Sequence, residues 1–479
     1  MMERDLHTVL LFGLHYLLTG LVIWRVLLRD RMEPVVRLAW VMVVAVVPVV
    51  GLLAYLLFGE VRVRRADRGR GRDIECQLLT AWGEGSGAAL VPAVAIPAFA
   101  MGQATSGMGP VGGNRAVMLP EDDSALDDIV AHIDAASSTV HLLYYIWLPD
   151  GSGTRMAEAV IRAAGRGVTC RVLVDDVGSR RLTRSPLWRR MAEAGVQLAI
   201  ALPVGNPLIE MLYKRLDLRN HRKIMVVDNR VTWAGSRNCA DAAFAIKPRF
   251  APWVDILMRV EGPVVRQFQA VFLRDWMMHA EGVPGDLLGT APTALASGFP
   301  AQVVASGPDQ STSGMSETLC ALLYAATDRV TITTPYFLPD PALLEAICAV
   351  ARRGVKTTLI LPERNDSRII AAASEGLFAT LLRSGVRLHL FRPGLLHAKI
   401  LTVDGGLAMI GSANLDRRSF DLNYECNLLI SSPEITAELD RRQQSYLERA
   451  RIVEIDEVED WSALRRIRNN AVALAGPLL

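Results

Sequence analysis

The sequence predicts an α/β protein made of two duplicated halves packed about a pseudo-two-fold axis, preceded by an N-terminal transmembrane helical hairpin. Two long apolar runs open the chain, a strand–turn–helix–strand pattern occurs twice, and a spaced His, Lys and Asp motif follows each copy. A chain of 479 residues also exceeds what one hydrophobic core usually organises. The predicted segments are a hairpin over 1–65, a basic and then Gly/Ala/Pro-rich linker over 66–117, a first repeat over 118–290 and a second repeat over 291–479.

The apolar runs 8–24 and 38–58 are the basis of the predicted hairpin. About 20 helical residues cross the roughly 30 Å hydrocarbon core of a bilayer. The second run has this length, and the first reaches it when the Arg25 side chain extends to the interface. The alternatives are a cleaved signal peptide for the first run and a buried globular helix for the second. Because residues 1–7 are charge-balanced and no small-residue cleavage site follows, the hairpin is favoured.

Arginines set the predicted orientation. The arginines after the second run, together with Arg4, outnumber those in the connecting loop, and the positive-inside rule then favours a cytoplasmic catalytic domain. Residues 83–113 are rich in Gly, Ala, Pro and Ser. We expect them to form a linker, or a loosely packed adaptor that lies on the membrane surface or against the main domain.

Composition bears on partners and metals. The chain has 52 Lys and Arg against 50 Asp and Glu, whereas a nucleic-acid binder of this size would carry a basic excess, so no nucleic-acid partner is predicted. The cysteines form no CxxC pair and no Cys/His cluster at zinc spacing, which favours buried free thiols in a reducing compartment over a disulfide framework or a metal site. These cysteines are Cys76, Cys170, Cys239, Cys320, Cys348 and Cys426.

The duplication is visible in two paired segments. AASSTVHLLYYIWLPD precedes MAEAVIRAAGRGVTCRVLVDD, and AATDRVTITTPYFLPD precedes LLEAICAVARRGVKTTLILPE. Both pairs predict a buried strand, an LPD turn, an amphipathic helix and a second strand. Duplicated halves can pack about a pseudo-two-fold axis, so that equivalent residues face one another and share a single site.

Each repeat carries an HxKxxxxD motif followed by GSxN at the same spacing. Only five lysines occur in the chain, and two of them fall within these motifs. His and Lys at positions i and i+2 of a strand point to the same face and can converge on one phosphate. The predicted catalytic residues are His221, Lys223, Asp228, His397, Lys399 and Asp404.

This set suits a phosphodiester. A neutral imidazole attacks phosphorus to give a phospho-histidine, a second, protonated imidazole protonates the leaving alkoxide, and the lysines neutralise the phosphate oxygens. The aspartates of the motifs are expected to hold the turn after the strand rather than contact substrate. Ser236, Asn238, Ser412 and Asn414 are predicted to donate hydrogen bonds to the phosphate. Asp255 and Glu425, about thirty residues after the histidines, are predicted to orient the imidazoles.

The paired HxKxxxxD and GSxN motifs resemble those of the phospholipase D superfamily. PVVGLLAYLLFGE, DLRNHRK, TTPYFLPD, GLLHAK and GSANLDRRSFDLNYE resemble bacterial cardiolipin synthases, in the same order. The resemblance covers nearly the whole chain and is weakest over 83–113. The first motif departs from the second in having Arg237 where the second has Ala413.

The resemblance implies that one phosphatidylglycerol donates its phosphatidyl group to a histidine and releases glycerol, after which a second phosphatidylglycerol attacks to give cardiolipin. It implies phospholipid substrates, no metal and no cofactor, and a multi-pass protein of the bacterial inner membrane with its catalytic domain on the cytoplasmic side. It favours His221 as the nucleophile and His397 as the acid and then the base. Pseudo-symmetry by itself leaves that assignment open.

The sequence is compatible with four functions: cardiolipin synthesis, another phosphatidyl transfer or lipid hydrolysis, a membrane-tethered nuclease, and an inactive membrane scaffold. A scaffold has no need of two His-Lys pairs, and a nuclease should show a basic groove. The segment 207–220 contains Lys214, Arg215 and Arg219 among apolar residues. It either rests on anionic headgroups or is an ordinary packed helix.

Overall fold

The computed structural model describes residues 2–29, 32–47, 49–60, 65–82, 89–205, 215, 217–244, 246–280, 294–310 and 313–474. These residues form two compact units. One contains the described residues of 1–64 and 204–217, and the other contains those of 65–203 and 218–476. The predicted boundary between the repeats, at 290 and 291, lies outside the described residues.

The N-terminal unit is helical and closes around one buried carboxylate. Glu60 pairs with Arg25 at 2.6 Å and with Arg29, and accepts a hydrogen bond from the Tyr55 hydroxyl at 2.7 Å. The Tyr55 ring contacts Trp40 edge-on at 5.3 Å. The helices of this unit are α1 (Met2–Leu27), α2 (Pro34–Val46) and α3 (Val50–Phe58).

The second predicted span is not one continuous helix. Helix α2 ends at Val46 and α3 begins at Val50, with Pro48 between them in the sequence. Proline lacks the backbone N–H that a helix interior needs, and its ring clashes with the preceding turn. Within the described part of the chain, we find no helix that combines the length and the apolar character needed to cross a bilayer.

The two arginines of segment 207–220, Arg215 and Arg219, are buried and are not available to lipid headgroups. Residues 206–214, including Lys214, and 216 lie outside the described residues. Arg215 is buried, donates to both carboxylate oxygens of Asp217 at 2.7 and 2.9 Å, and donates to the Phe58 carbonyl at 3.0 Å. Arg219 is also buried, 3.4 Å from Asp175. Both charges are therefore neutralised inside the fold, contrary to the headgroup-binding interpretation.

Much of the segment predicted as a linker, 66–117, is folded. It contains α4 (Arg65–Trp82), a 3₁₀ turn, α5 (Ile96–Ser106) and most of β1 (Val111–Met118). A Cβ at Gly102 of α5 would lie only 2.8 Å from the Gln302 side chain. Small residues are therefore used here for close helix-to-sheet packing rather than for flexibility.

The larger unit is built on one long mixed sheet with helices packed on it. Its first part contains β1, β2 (Thr139–Tyr144), β3 (Thr169–Asp175), β4 (Gln197–Ala201), β5 (Arg219–Asn220), β6 (Lys223–Val227), β7 (Val231–Gly235), β8 (Trp253–Val254) and β9 (Leu257–Glu261). The helices of this part are α6 (Ser124–Asp134), α7 (Gly151–Gly165), α8 (Arg180–Thr183), α9 (Pro186–Glu193) and α10 (Val265–His279).

The second part repeats the first. Its strands are β10 (Phe299–Ser306), β11 (Arg329–Thr333), β12 (Phe337–Leu338), β13 (Lys356–Pro362), β14 (Arg387–Phe391), β15 (Leu395–Leu396), β16 (Ile400–Val403), β17 (Leu407–Gly411), β18 (Leu415–Asp416), β19 (Asn423–Ser431) and β20 (Ala450–Val453). Its helices are α11 (Gly314–Ala325), α12 (Pro341–Arg352), α13 (Arg368–Glu375), α14 (Phe378–Arg383), α15 (Arg417–Asp421), α16 (Pro433–Leu447), α17 (Ile455–Glu459) and α18 (Ala463–Leu474).

Strand order confirms the duplication. The first repeat reads β4-β3-β2-β6-β7-β9-β1 and the second reads β14-β13-β11-β16-β17-β19-β10, so equivalent strands occupy equivalent places. The halves join through antiparallel β1 and β10, with Val111 opposite Ala301. The LPD turns also match, because Asp150 caps α7 and Asp340 caps α12. This arrangement is that of two repeats about a pseudo-two-fold axis.

Buried residues tie the two repeats together. Arg222, fully buried, donates to Asp275 at 2.5 Å, to the Glu425 carbonyl at 3.1 Å and to the Ser306 carbonyl at 2.9 Å. Arg222, the residue between the histidine and lysine of the first motif, therefore links its strand to the second repeat.

The six cysteines are free thiols. Four of them are buried as predicted, whereas Cys76 is exposed and Cys320 is partly exposed.

Candidate active site

The two motifs occupy equivalent places at strand ends. His221 lies between β5 and β6, and His397 lies between β15 and β16. Lys223 donates to the His221 carbonyl and Lys399 to the His397 carbonyl, each at 2.7 Å. All four residues are buried, and the charge of each lysine acts on the histidine of the other motif. The structure thus brings both motifs into one site.

Each histidine is oriented by a carboxylate from the other repeat. His221 Nδ1 lies 2.9 and 3.0 Å from the two carboxylate oxygens of Glu425, and His397 Nδ1 lies 2.5 Å from Asp255 Oδ1. The sequence left this pairing undetermined. With Nδ1 directed at a carboxylate, Nε2 of each ring is the nitrogen left for chemistry.

Short parallel strand pairs explain the crossed arrangement. Strand β5 pairs with β19, and the His221 N–H donates to the Tyr424 carbonyl at 3.0 Å. Strand β15 pairs with β8, and the His397 N–H donates to the Val254 carbonyl at 2.8 Å. Each histidine is therefore fixed to the backbone residue that immediately precedes its carboxylate partner.

The serines of the GSxN motifs donate hydrogen bonds to the orienting carboxylates in this structure. The Ser236 hydroxyl donates to Asp255 at 2.6 Å, and the Ser412 hydroxyl donates to Glu425. A hydroxyl can donate only one hydrogen bond, and in each motif that hydrogen bond goes to the carboxylate. Ser236 and Ser412 thus hold the orienting carboxylates, and a contact of either serine with phosphate stays a prediction.

The glycines before these serines are required by close packing. A Cβ at Gly235 would lie 2.1 Å from the Ile256 carbonyl oxygen, and one at Gly411 would lie 2.2 Å from the Asn427 side chain. These contacts are far inside van der Waals distance. Glycine therefore lets each GSxN turn approach the strand that carries the carboxylate.

The asparagines of the two GSxN motifs differ in which side-chain atoms form hydrogen bonds. Asn238 accepts a hydrogen bond from the Ile146 N–H at 3.4 Å, and its NH₂ group bonds to no other described residue. Asn414 donates to the Ser419 hydroxyl at 3.2 Å, and its side-chain oxygen, though buried, has no partner within the described chain. Within the described residues, the NH₂ group of Asn238 is thus wholly unengaged, whereas that of Asn414 has used one of its two N–H donors.

The motif aspartates lie outside the site, as turn anchors. Asp228 accepts the backbone N–H groups of residues 137–139 at 2.8 to 2.9 Å, and Asp404 accepts those of residues 327–329 at 2.7 to 2.8 Å. Both have positive φ, at 51° and 49°. Burial raises their pKa values, but the N–H donors outweigh it and lower them. Each aspartate therefore holds a turn, as the sequence predicts, although its motif placed it in the predicted catalytic set.

Burial dominates the titration of the site. It lowers the pKa of His221 and of His397 to about 4, the adjacent lysine adding to the shift and the paired carboxylate opposing it. It also lowers the pKa of Lys223 to about 8 and that of Lys399 to about 7, the latter with repulsion from Lys223. Without an anion present, both imidazoles are neutral at pH 7.

The orienting carboxylates are ionised. Burial acts to raise the pKa of Glu425, but His221, Lys223 and the Ser412 hydroxyl outweigh it and lower that pKa to about 2. The pKa of Asp255 is likewise lowered well below its usual range by His397 and Lys399 against burial. Each can therefore stabilise a positive charge on its histidine during reaction.

Two aromatic residues that sequence reasoning missed form walls of the site. The Tyr145 ring lies 4.9 Å from the His221 ring, and the Trp253 ring lies 4.7 Å from the His397 ring. Trp253 is two residues before Asp255 on an extended segment. That spacing places both side chains on one face and could have identified Trp253 from the sequence.

Arg237, which stands where the second motif has Ala413, donates a hydrogen bond to Asp123 at 2.8 Å.

Comparison with known proteins places this geometry in a family. The family model described as cardiolipin synthase, PLD-like domain, matches residues 129–276 and 319–447, and that described as phospholipase D-nuclease N-terminal matches 17–60. Cardiolipin synthase A of Edwardsiella ictaluri is 34% identical over 93% of this chain and 92% of its own. That of Yersinia pseudotuberculosis is 34% identical over 98% and 97%.

A solved structure shares the fold. Phosphatidylserine synthase of Haemophilus influenzae superposes with a TM-score of 0.60 at 14% identity, over 80% of this chain and all of its own. The family model spans both repeats and both HxKxxxxD motifs. The chain is a member of the bacterial cardiolipin synthase family of the phospholipase D superfamily.

Proposed function

We propose that this enzyme makes cardiolipin by transferring the phosphatidyl group of one phosphatidylglycerol to another through a covalent phospho-histidine. In the first step a histidine Nε2 forms a P–N bond, the P–O bond to glycerol breaks, and the second histidine donates a proton to the glycerol oxygen. In the second step that histidine takes the proton of the acceptor hydroxyl, the new P–O bond forms and the P–N bond breaks.

One observation carries the proposal: two buried imidazoles, each held by a carboxylate of the opposite repeat and each followed by a lysine. The crossed pairing makes neither repeat complete by itself. His221 and His397 supply the nucleophile and the acid, and Glu425 and Asp255 stabilise the imidazolium that each step generates. His221 is favoured as the nucleophile by family resemblance.

The lysines and an asparagine suit the phosphate. Lys223 and Lys399 neutralise the phosphodiester and the charge that develops on its oxygens, and the unengaged amide of Asn238 donates to the same group. An anion between the lysines also raises the pKa of both histidines. Substrate binding itself therefore promotes the protonated histidine that the first step requires.

A bilayer location supports access to such lipids. Helices α1 and α3 expose large apolar side chains, including Leu14, Leu17, Leu21 and Leu53. Clusters of exposed large apolar side chains are typical of membrane contact. We place the enzyme in the bacterial cell membrane through its N-terminal segment as a multi-pass hairpin, with the catalytic unit on the cytoplasmic side, in line with the arginines after residue 60.

The proposal is tested with purified protein and phosphatidylglycerol as the sole lipid. We expect cardiolipin and free glycerol to form in equal amounts, because each transfer releases one glycerol. Lipid products are separated by mass and glycerol is assayed enzymatically. Phosphatidic acid without cardiolipin would instead identify a hydrolase, since water and a glycerol hydroxyl compete for the same intermediate.

The lysines predict how affinity depends on pH. Because the pKa values of Lys223 and Lys399 are about 8 and about 7, their charge is present at pH 6 and is lost as the pH rises through 7 to 8. We expect KM for phosphatidylglycerol to increase over that range. In Lys399→Arg the guanidinium stays charged, so the increase should shift to higher pH. A KM that is constant from pH 6 to 9 in the wild-type enzyme would contradict this account.

A further inference from the structure

Two loops, one from each repeat, meet beside His397. Phe244 stacks on Trp253 at 3.9 Å, and Trp253 contacts His397 at 4.7 Å. Three residues beyond Phe244, Lys247 pairs with Asp366 of the second repeat at 2.6 Å. The two loops therefore form a continuous surface next to the catalytic histidine.

The loop of the second repeat, around Asn365 and Asp366, is held by hydrogen bonds to the segment 335–336. Asp366 accepts the Tyr336 hydroxyl at 2.6 Å, and its own side chain is only 4% exposed. Asn365 donates to the Pro335 carbonyl at 2.8 Å. The polar groups of the loop thus point inward and leave its neighbouring side chains facing solvent.

Those outward side chains are basic and aliphatic. Arg249, Arg364 and Arg368 are exposed, and none forms an ion pair with another described residue. Ile246 and Ile369 are 43% and 51% exposed. We call this set the basic rim: Ile246, Arg249, Arg364, Arg368 and Ile369.

Nearby acids do not neutralise the rim. Asp366 is paired with Lys247, and Glu363 accepts from Arg451 at 2.6 Å. The rim therefore carries a local positive charge in a chain that is nearly neutral overall. Exposed aliphatic side chains beside unneutralised arginines match the interface of a bilayer that contains anionic lipid.

We propose that the basic rim docks on the surface of an anionic phospholipid bilayer, with Ile246 and Ile369 inserted among the headgroups and the arginines on lipid phosphates. This contact brings the site around His397 to the membrane that holds its substrate. The proposal rests on the proposed function for the identity of that substrate.

The direct test detects docking by fluorescence rather than by product formation. The full-length protein carries Cys76→Ser, Cys320→Ala and Ile369→Cys, an environment-sensitive fluorophore is attached at 369, and the protein is placed in nanodiscs. We expect emission to shift to the blue in nanodiscs containing phosphatidylglycerol, but not in phosphatidylcholine alone. The shift should be lost at 1 M salt and in Arg249→Glu/Arg368→Glu.

The control position is Arg387, at the amino end of β14. Strand β14 runs parallel to β13, so Arg387 lies near the amino end of β13. The basic rim follows the carboxyl end of β13, which is the opposite end of the sheet. A fluorophore at Arg387→Cys should show no lipid-dependent shift. Equal responses at 369 and 387, or a response independent of phosphatidylglycerol, would overturn the proposal. This result does not depend on whether the protein makes cardiolipin.

Turnover supplies a second readout. Each arginine near an anionic surface contributes roughly fivefold in affinity, so Arg249→Glu/Arg368→Glu should lower kcat/KM on bilayer phosphatidylglycerol at least about 30-fold. It should leave kcat/KM unchanged on short-chain soluble phosphatidylglycerol. The matched control is Lys356→Glu/Arg387→Glu, which should change neither. Equal loss on both substrates would show that the rim acts on the chemistry and would overturn docking.

Discussion

Replacing His221 or His397 by alanine is expected to abolish phosphatidyl transfer, with a loss of roughly 10⁴-fold or more in kcat. One variant lacks the nucleophile and the other lacks the group that protonates glycerol and later deprotonates the acceptor. The pseudo-symmetric geometry gives neither imidazole a substitute, because each is held by its own carboxylate. Turnover of radiolabelled phosphatidylglycerol measures the loss.

A third histidine provides the control. His132 lies on helix α6 with a partly exposed side chain and contacts Trp233 edge-on at 5.2 Å. His132→Ala should keep near wild-type turnover. If His397→Ala alone kept substantial activity, the two-histidine mechanism would have to be abandoned.

Replacing Asp275 by alanine is expected to destabilise the catalytic unit by about 3–5 kcal/mol. Asp275 pairs with Arg222 at 2.5 Å and accepts from Asn220 at 2.8 Å, and all three side chains are buried. Without the carboxylate, the Arg222 charge stays buried and uncompensated. The midpoint of thermal unfolding, followed by tryptophan fluorescence, should fall.

An exposed ion pair gives the comparison for this change. Asp134 and Arg162 pair at 2.8 Å with side chains that are 38% and 50% exposed. Asp134→Ala should cost no more than about 1 kcal/mol. The double variant Arg222→Met/Asp275→Leu should lose less than Asp275→Ala, because no charge is left unpaired. Equal unfolding midpoints for Asp275→Ala and Asp134→Ala would show that the buried network contributes little.

Local patterns predicted the duplicated architecture well. The LPD turns begin helices because an aspartate can cap the N–H two or three positions later, and Asp150 and Asp340 do so. Strand alternation also predicts that His and Lys of one motif share a face, and this stays a prediction because His221 and His397 precede strands β6 and β16. These are short-range relations, so the sequence contains them directly.

Relations between distant segments were not predictable in the same way. The crossed pairing of His221 with Glu425 joins residues 204 positions apart and depends on how β5 meets β19. The roles of Ser236 and Ser412 follow from that pairing, because the carboxylates they hold are placed by it. The sequence left helix α5 open between a linker and a packed adaptor, because small residues that allow close packing also occur in flexible chains.

The same contrast applies to the apolar N-terminal segment. Hydropathy predicted one span over 38–58, yet Pro48 falls between helices α2 and α3. Mean hydropathy averages over many residues, so one proline hardly changes it. A single proline nevertheless disfavours a continuous helix, because it lacks the backbone N–H and its ring clashes with the preceding turn.

Capture of the phosphatidyl-enzyme intermediate tests the central claim most directly. Wild-type protein is mixed with phosphatidylglycerol labelled at phosphorus or at the glycerol headgroup and is quenched during turnover, and peptides are then examined by mass spectrometry under alkaline conditions. We expect protein-bound phosphorus on His221, or on His397 if the roles are reversed, with release of one headgroup glycerol for each intermediate formed. Turnover without protein-bound phosphorus on either histidine would contradict it.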